Sequence, residues 1–542
     1  MPPFEGWDEY QHLAYIDAVE RAPDKPVVLD KAIVRRGFLA AVLKFPQPVS
    51  VMNQLGYHGA LTYAQYWSQP ATPNGLGSRR APSPLHLDEP IGIYEAQHPP
   101  LYYGLMAPFY LMLGGARNMA RAVTGLRLVN LALTAGAVGI FLGWVGGNCL
   151  NRTHAALIGL AVALNPLFLI NGVRVANDGL AVLLGTAVIV WTLSLSPGSR
   201  RRLVAETFGL GLLAGAAILA KVINLALLPF LTVCLFLMAA RRRTGWLTVA
   251  AALLAAIAGA GTVTWSYFSF NVHHFGMLAP MGEAVGNRRL GRGWGEMIRW
   301  LHWGKWVHAW WDWWVSEALW TGGWSFLHPV GWLTHLHSLL IVILGAGWPV
   351  SRVLRHRRGD LRDRSPSIPV FKAEKGIEAK IAVLIVSVTA ALTWHGLQSA
   401  TFYKGTITTN AWYTAVAMPW FAALICGSGL AWRPRGLGNW LVLSLGAIFV
   451  LAEILGLIKM IHTYAGRRWS MAALRRLAEL HPSGFGVPMT LGVMGMTVVL
   501  MALAFVACIG AMKLNAPPPA YASDSPSSTS AQSPGRLNNP SS

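Results

Sequence analysis

A chain of 542 residues that is 54% hydrophobic and only 12% charged, with a mean hydropathy of +0.43, is too apolar to be a soluble protein of this size. The net charge of +21 does not point to nucleic acid, because the Arg and Lys residues stand largely in short clusters between apolar runs, where they set membrane topology. Of the four cysteines, Cys234, Cys426 and Cys508 lie inside apolar runs and Cys149 in a short loop, which gives neither a disulfide framework nor a zinc spacing.

Residues 1–98 are mixed, rich in Pro, Tyr and His, and hold no apolar run of membrane length, so they read as a large loop with short helices. Met1-Pro2-Pro3-Phe4 leads straight into acidic sequence without the charged start and apolar centre of a cleavable signal. Asp8 and Glu9 open a short amphipathic helix, where carboxylates also favourably meet the helix dipole. His12 stands one turn after Asp8 on the same face. Glu95-Ala96-Gln97-His98-Pro99-Pro100 closes the loop, and the two prolines stiffen the backbone behind Glu95 and His98. A cluster of Asp8, His12, Glu95 and His98 has the carboxylate and imidazole groups that suit a divalent metal, although the spacing is not that of a known ligand set.

After a short apolar stretch at 99–115, eleven runs are long enough, or nearly so, to span: 125–147, 154–172, 178–195, 205–220, 222–240, 245–268, 331–349, 380–398, 411–431, 437–459 and 489–512. The standard is the ~20 residues that a helix needs to cross. If they alternate, Arg152, Arg200 to Arg202, Arg241 to Arg243, the run from Arg352 to Lys375, and Arg433 with Arg435 share one side, the cytoplasmic one. Arg467, Arg468, Arg475 and Arg476 break the rule from the other side. The same parity gathers Arg174, Asn177, Asp178, Lys221, the 269–330 loop and the 399–410 loop on the non-cytoplasmic face. Asn177 and Asp178 could simply cap the next helix, and Lys221 could snorkel, although it falls between two spans with almost no loop.

Between 294 and 332 lie eleven of the 24 tryptophans, with Trp303, Trp306, Trp310 and Trp313 in steps of three and four. That spacing makes one aromatic stripe on a helix, read here as an interfacial anchor or a surface for stacking sugars. From Pro517 the chain is rich in Pro, Ser and Ala and too polar to fold.

Trp7-Asp8-Glu9-Tyr10 and His98-Pro99-Pro100-Leu101-Tyr102-Tyr103 together resemble the first loop of the GT-C superfamily, polytopic glycosyltransferases that use polyprenyl-phosphate sugars. The likeness is to the protein O-mannosyltransferase and aminoarabinose transferase types, and to bacterial membrane proteins with the His-Pro-Pro-Leu-Tyr-Tyr signature. It runs over roughly residues 4–420. It implies an all-α polytopic membrane protein of about 11 spans, with juxtamembrane helices in a large first outer loop.

The expected divisions are an outer loop at 1–124, a membrane core at 125–268, a Trp-rich outer loop at 269–330, C-terminal helices at 331–512 and a disordered tail at 513–542. The resemblance also implies a membrane helix just before Asp8-Glu9, and hence an upstream start for this chain. It makes Asp8 the base for the acceptor and gives Glu9 a supporting catalytic role. Glu95 or Gln97 takes the place of a second acid, depending on how the Pro-Pro pair is aligned. Asn165-Pro166-Leu167-Phe168 and Arg174 to Asp178 resemble the family's third-helix exit, and Lys221 occupies the place of a lysine that contacts lipid phosphate. Where relatives have Arg-Tyr, this chain reads Asn410-Ala411-Trp412-Tyr413, so the missing arginine's task falls to Lys404, Arg174 or Lys221. Leu319 to Phe326 looks like the bacterial proteins' aromatic-glycine loop.

The implied partners are a polyprenyl-phosphate sugar donor, a lipid, glycan or protein acceptor, and membrane lipids. The implied location is the bacterial inner membrane with the site facing outward, and no cofactor is required beyond the metal considered above. A transporter or flippase of lipid-linked substrates is the alternative, since polar residues at membrane depth also mark transport paths. Transporters usually carry repeated halves, however, and no internal repeat is evident.

Overall fold

A computed structural model describes residues 2–6, 8–48, 51–69, 89–196, 199–240, 244–319, 329–357, 368, 370–372, 376–465, 470–481 and 506. Among these the chain is helical, with three isolated β-bridges and no named strand. Seven helical segments are long and apolar enough to cross a membrane: 115–148, 200–220, 222–240, 246–275, 331–354, 377–402 and 436–465. Arg152–Ala163 and Pro166–Val173 make an eighth if counted as one span bent by 54°. The bend falls where Pro166 cannot continue the first helix and Asn165 caps the second by accepting from the Phe168 N–H. The expected runs at 178–195 and 411–431 are shorter apolar helices, Asp178–Ser194 and Met418–Gly429, so length does not count them as spans. The run at 489–512 lies outside the described residues but for residue 506, as do Trp7, the tail and the aromatic-glycine loop beyond Leu319.

The segment after the Pro-Pro pair is a helix of 12 residues, Leu101–Met112. At 1.5 Å per residue it covers about 18 Å, well short of a ~30 Å hydrocarbon core. Its buried face of Tyr102, Tyr103, Met106 and Tyr110 packs on Glu9–Arg21, while Leu105, Phe109 and Met112 form an exposed stripe on the other face.

Arg200–Ala220 and Trp246–Phe275 lie backbone to backbone. A Cβ at Gly211 would stand 2.2 Å from the Ala256 carbonyl oxygen, and one at Gly259 2.3 Å from that of Phe208. Small residues at such spacing are how apolar helices approach closely where lipid offers no hydrophobic drive. The outer faces, with Leu247, Leu254, Ile257 and Trp265 exposed, keep apolar side chains that hydrocarbon would cover.

Most of the tryptophan stripe packs against protein. Trp303–Trp314 is a helix, but Trp306 and Trp313 are buried, with Trp306 lying over Gly396 of Ile377–Phe402. The indole N–H groups of Trp310 and Trp314 donate to the hydroxyls of Thr393 and Thr389 at 2.9 and 3.0 Å, and that of Trp313 donates to the Thr409 carbonyl at 2.9 Å. Satisfied donors make an internal packing face of the stripe, and Trp303 alone among the four is exposed.

Candidate functional site

Asp8 precedes the helix Glu9–Arg21 with a left-handed backbone, φ +56°, and its side chain caps nothing. Asp and Asn enter that conformation more readily than most residues, and here it turns the Asp8 carboxylate away from the helix and toward Tyr94. It accepts a hydrogen bond from the Tyr94 hydroxyl. Asp8 keeps part of its surface open although protein surrounds it. Burial, and then the neighbouring charge of Glu95, push its carboxyl up to about 7.

Glu9, the next residue, has the opposite fate. It is fully buried, and its carboxylate accepts from Arg127 at 2.8 and 2.6 Å, from the Phe4 N–H at 2.8 Å and from the Val175 N–H at 3.0 Å. Those four donors fill its main acceptor directions, so it fastens the N-terminal segment to the helix Met119–Asn148 and to the loop at 174–177. Gly6 permits the same approach, since a Cβ there would stand 2.7 Å from that of Arg174.

Glu95 ends the first loop close enough for its charge to act on Asp8. One of its oxygens faces His98 Nε2 at 3.0 Å and His12 Nδ1 at 3.5 Å, and His12 Nδ1 also meets the Tyr103 hydroxyl at 2.8 Å. Burial alone would raise the Glu95 carboxyl, but His12 and His98 on either side hold it below the usual carboxylate range. Two nearby acids are thus driven apart, one kept ionised and the other poised to exchange a proton near neutrality. Among the described residues no three His, Cys, Asp or Glu side chains are arranged to hold a metal ion. Gln97 is turned elsewhere: its side-chain oxygen accepts from the Gly282 N–H at 3.1 Å, at the start of the helix Gly282–Arg289.

Cations form the opposite wall. Asp178 bridges Lys221 and Arg174, one oxygen to each at 2.5 Å, and all three are buried. One acid between two cations leaves a unit of positive charge in a water-poor place. Lys221 stands 4.7 Å from the centre of the Tyr413 ring and Arg174 stands 5.8 Å from that of Trp412, within cation–π range.

Neither Asn177 nor Asp178 caps the helix Asp178–Ser194 with its side chain. Asn177 donates to the Ala220 carbonyl at 3.0 Å, and Asn130 donates to the carbonyls of Arg174 and Ala176. These amides sew the loop at 174–177 to the break at 220–222. Gly6 and Glu9, on either side of Asp8, meet Arg174 and Val175, which brings the acidic cluster up to the basic one, and the charges of Arg174 and Lys221 draw the Asp8 pKa back down. Lys404 is not part of it, lying exposed at a turn with φ +52°.

Three groups here escaped the sequence reading. Tyr94 stands one residue ahead of the Glu95 to Pro100 stretch, and nothing marked its hydroxyl. His395 sits inside an apolar helix, with its Nδ1 2.9 Å from the Thr409 hydroxyl and its ring 5.2 Å from that of Tyr413. A polar residue in an apolar run is the signal that could have found it. Glu317, its carboxyl pushed up to about 7 by burial, accepts from the Ala411 N–H at 2.8 Å and so holds the backbone ahead of Trp412 and Tyr413.

No family model and no curated protein matches the chain. Among solved structures it is similar to ArnT from Cupriavidus metallidurans in the apo state, at 13% identity over 84% of this chain and 78% of that one, with a TM-score of 0.25. The same protein bound to undecaprenyl phosphate gives 13% identity over 81% and 76%, with a TM-score of 0.25. The archaeal oligosaccharyltransferase AglB from Archaeoglobus fulgidus, in complex with an inhibitory peptide and a dolichol-phosphate, gives 12% identity over 88% of this chain and 58% of that one, with a TM-score of 0.33.

Proposed function

We propose that this protein is an integral membrane glycosyltransferase that moves a sugar from a polyprenyl-phosphate donor to an acceptor hydroxyl. The reading is supported above all by the juxtaposition of a partly open carboxyl poised near 7, Asp8, with the buried cations Lys221 and Arg174 around Asp178. Glycosyl transfer from a lipid phosphate needs both. The acceptor oxygen attacks the anomeric carbon and passes its proton to Asp8, while the bond from that carbon to the phosphate oxygen breaks and its electron pair leaves with the phosphate. Base assistance of this kind is worth ~10² to 10⁴ in rate. The leaving phosphate is anionic and needs no proton at neutral pH, but it needs fixed positive partners where water is scarce. Asp178 positions the two cations, and Tyr413 and Trp412 back them with ring faces. Glu95 stays ionised and keeps Asp8 basic; His12 and His98 hold Glu95.

The test is a pair of substitutions in the full chain with a defined polyprenyl-phosphate sugar. Asp8→Asn keeps size and the left-handed backbone but removes the proton acceptor, so turnover falls ~10²-fold or more while donor binding holds. Lys221→Met keeps the apolar stem and removes the charge, so donor binding and turnover both fall. Full transfer by folded Asp8→Asn protein would end the assignment of the base. Altered lipid movement in both variants, with no sugar transfer in the unaltered protein, would make it a transporter instead.

A further inference from the structure

A charged hollow lies apart from this site, at the far end of the helix Glu9–Arg21. Asp17 is eight residues beyond Glu9, about 12 Å along a helix at 1.5 Å per residue. A cavity of about 620 Å³ opens there, walled by Asp17, Glu20 and Arg21, by Arg35 and Lys44 around the short helix Arg36–Val42, and by Tyr110 and Arg117 at the two ends of the turn that leads into Met119–Asn148. It holds four cations, Arg21, Arg35, Lys44 and Arg117, against two acids, Asp17 and Glu20.

The acid at its floor acts as an anchor. Buried Asp17 accepts from Arg21 Nε at 3.2 Å, from Arg35 Nε and a terminal nitrogen at 3.3 and 3.0 Å, and from the Tyr110 hydroxyl at 3.3 Å. A guanidinium has five N–H groups, so these bonds orient both arginines and leave most of their donors for something else. Lys44 and Arg117 make no ion pair among the described residues, and both are exposed. The apolar side chain at this mouth is Leu111, which lines the cavity and is exposed by 61%, with Met112 next to it exposed by 77%. Both end an amphipathic helix too short to cross, and the mouth lies where a long apolar helix begins. Four cations with exposed apolar side chains at the foot of a membrane-length helix complement an anionic headgroup with its acyl chains attached.

We infer that the cavity between Asp17, Arg35, Lys44 and Arg117 is a binding site for the phosphate headgroup of an anionic glycerophospholipid, whose acyl chains leave past Leu111 and Met112. Arg21 and Arg35 fork onto the phosphate oxygens as planar donors, and Lys44 and Arg117 close over them as exposed charges. The site is independent of the proposed sugar-transfer site and stands whether or not that reading does.

The experiment places the full chain in nanodiscs of phosphatidylcholine doped with phosphatidylglycerol and reads the lipid retained on the protein by native mass spectrometry. Phosphatidylglycerol is expected to be enriched over its share of the bilayer, and Lys44→Gln with Arg117→Gln to weaken its retention roughly 30-fold, each basic group near an anionic headgroup counting for on the order of five-fold. Both residues are exposed, so the double variant folds. Removing the same charge elsewhere, with Arg200→Gln and Lys305→Gln, leaves retention unchanged. Equal loss in that control, or equal retention of phosphatidylcholine and phosphatidylglycerol, would overturn the inference. Displacement of phosphatidylglycerol by millimolar inorganic phosphate, with no dependence on acyl chains, would also overturn it and make the cavity a free-phosphate site.

Discussion

The two walls of the candidate site are built in opposite ways. The acidic wall comes from the ends of one loop: Asp8 and His12 open it and Tyr94, Glu95 and His98 close it. The cationic wall is assembled from three breaks in apolar helices, at 174–178, 221 and 412–413, with Asn130, Asn177 and Asn224 supplying the stitches. Loop residues can be placed by a short rigid motif such as His98-Pro99-Pro100. Cations inside a membrane protein need every backbone group around them satisfied, and so they arrive with buried amides that do nothing else. The lesson is that the chemistry of one wall is local in sequence while that of the other is a property of the fold.

The sharpest way to break this comparison is to set the adjacent acids against each other. Glu9 is the buried partner of Arg127 and of two backbone N–H groups, whereas Asp8 keeps part of its surface open. Glu9→Ala leaves a buried guanidinium without its counterion and should destabilise the protein by ~3–5 kcal/mol. Asp8→Asn should stay within ~1 kcal/mol of the unaltered chain. Thermal unfolding of the two purified variants in one lipid composition measures both, and a stability loss in Asp8→Asn as large as in Glu9→Ala would mean that both acids are structural.

A smaller but more diagnostic effect is the pH dependence of transfer. On the proposed reading Asp8 works as the base only when ionised, and burial with the Glu95 charge raises it to about 7. Activity should therefore be gained as pH rises through about 7 and lost below it, by ~10-fold per unit in kcat/KM. A rising limb near the ordinary carboxylate value, or none above it, would dissociate the pH dependence from Asp8.

How much of this was legible depended on how far apart the partners lie in the chain. The all-helical membrane architecture followed from apolar run lengths, and the expected site residues fall into two neighbouring clusters, His12, Glu95 and His98 beside Asp8, and Arg174, Asp178, Lys221 and Tyr413. Gln97 joins neither, because its amide meets a helix start in the 269–330 loop that no local pattern could reveal. Glu9 was legible as an acid beside the base but not as a strut, since Arg127 is 118 residues away. The tryptophan spacing showed a helix face but not what covers it: periodicity is blind to whether protein or lipid lies opposite, and Thr389 and Thr393 decided that. His395 was hidden for the same reason, a single imidazole in an apolar helix until Thr409 and Tyr413 come round to it.

The finest effect expected is that of the Tyr94 hydroxyl, the one hydrogen bond that the Asp8 carboxylate accepts among the described residues. A donor to a carboxylate favours its ionised form and so lowers its pKa, against the burial and the Glu95 charge that raise it. Tyr94→Phe keeps the buried ring and removes only that donor. The rising limb of the pH profile should then move upward, by about 0.7 unit for an interaction of ~1 kcal/mol, because Asp8 holds its proton to higher pH. Transfer at the alkaline plateau should change little, since the ionised base is the same group in the same place. At pH 7 the variant is slower; at pH 9 it nearly matches the unaltered protein. A limb that shifts downward would show that Tyr94 stabilises the protonated form instead. A loss that persists on the plateau would show that the phenol touches substrate, and the acidic wall would then hold two reacting groups where this reading has one.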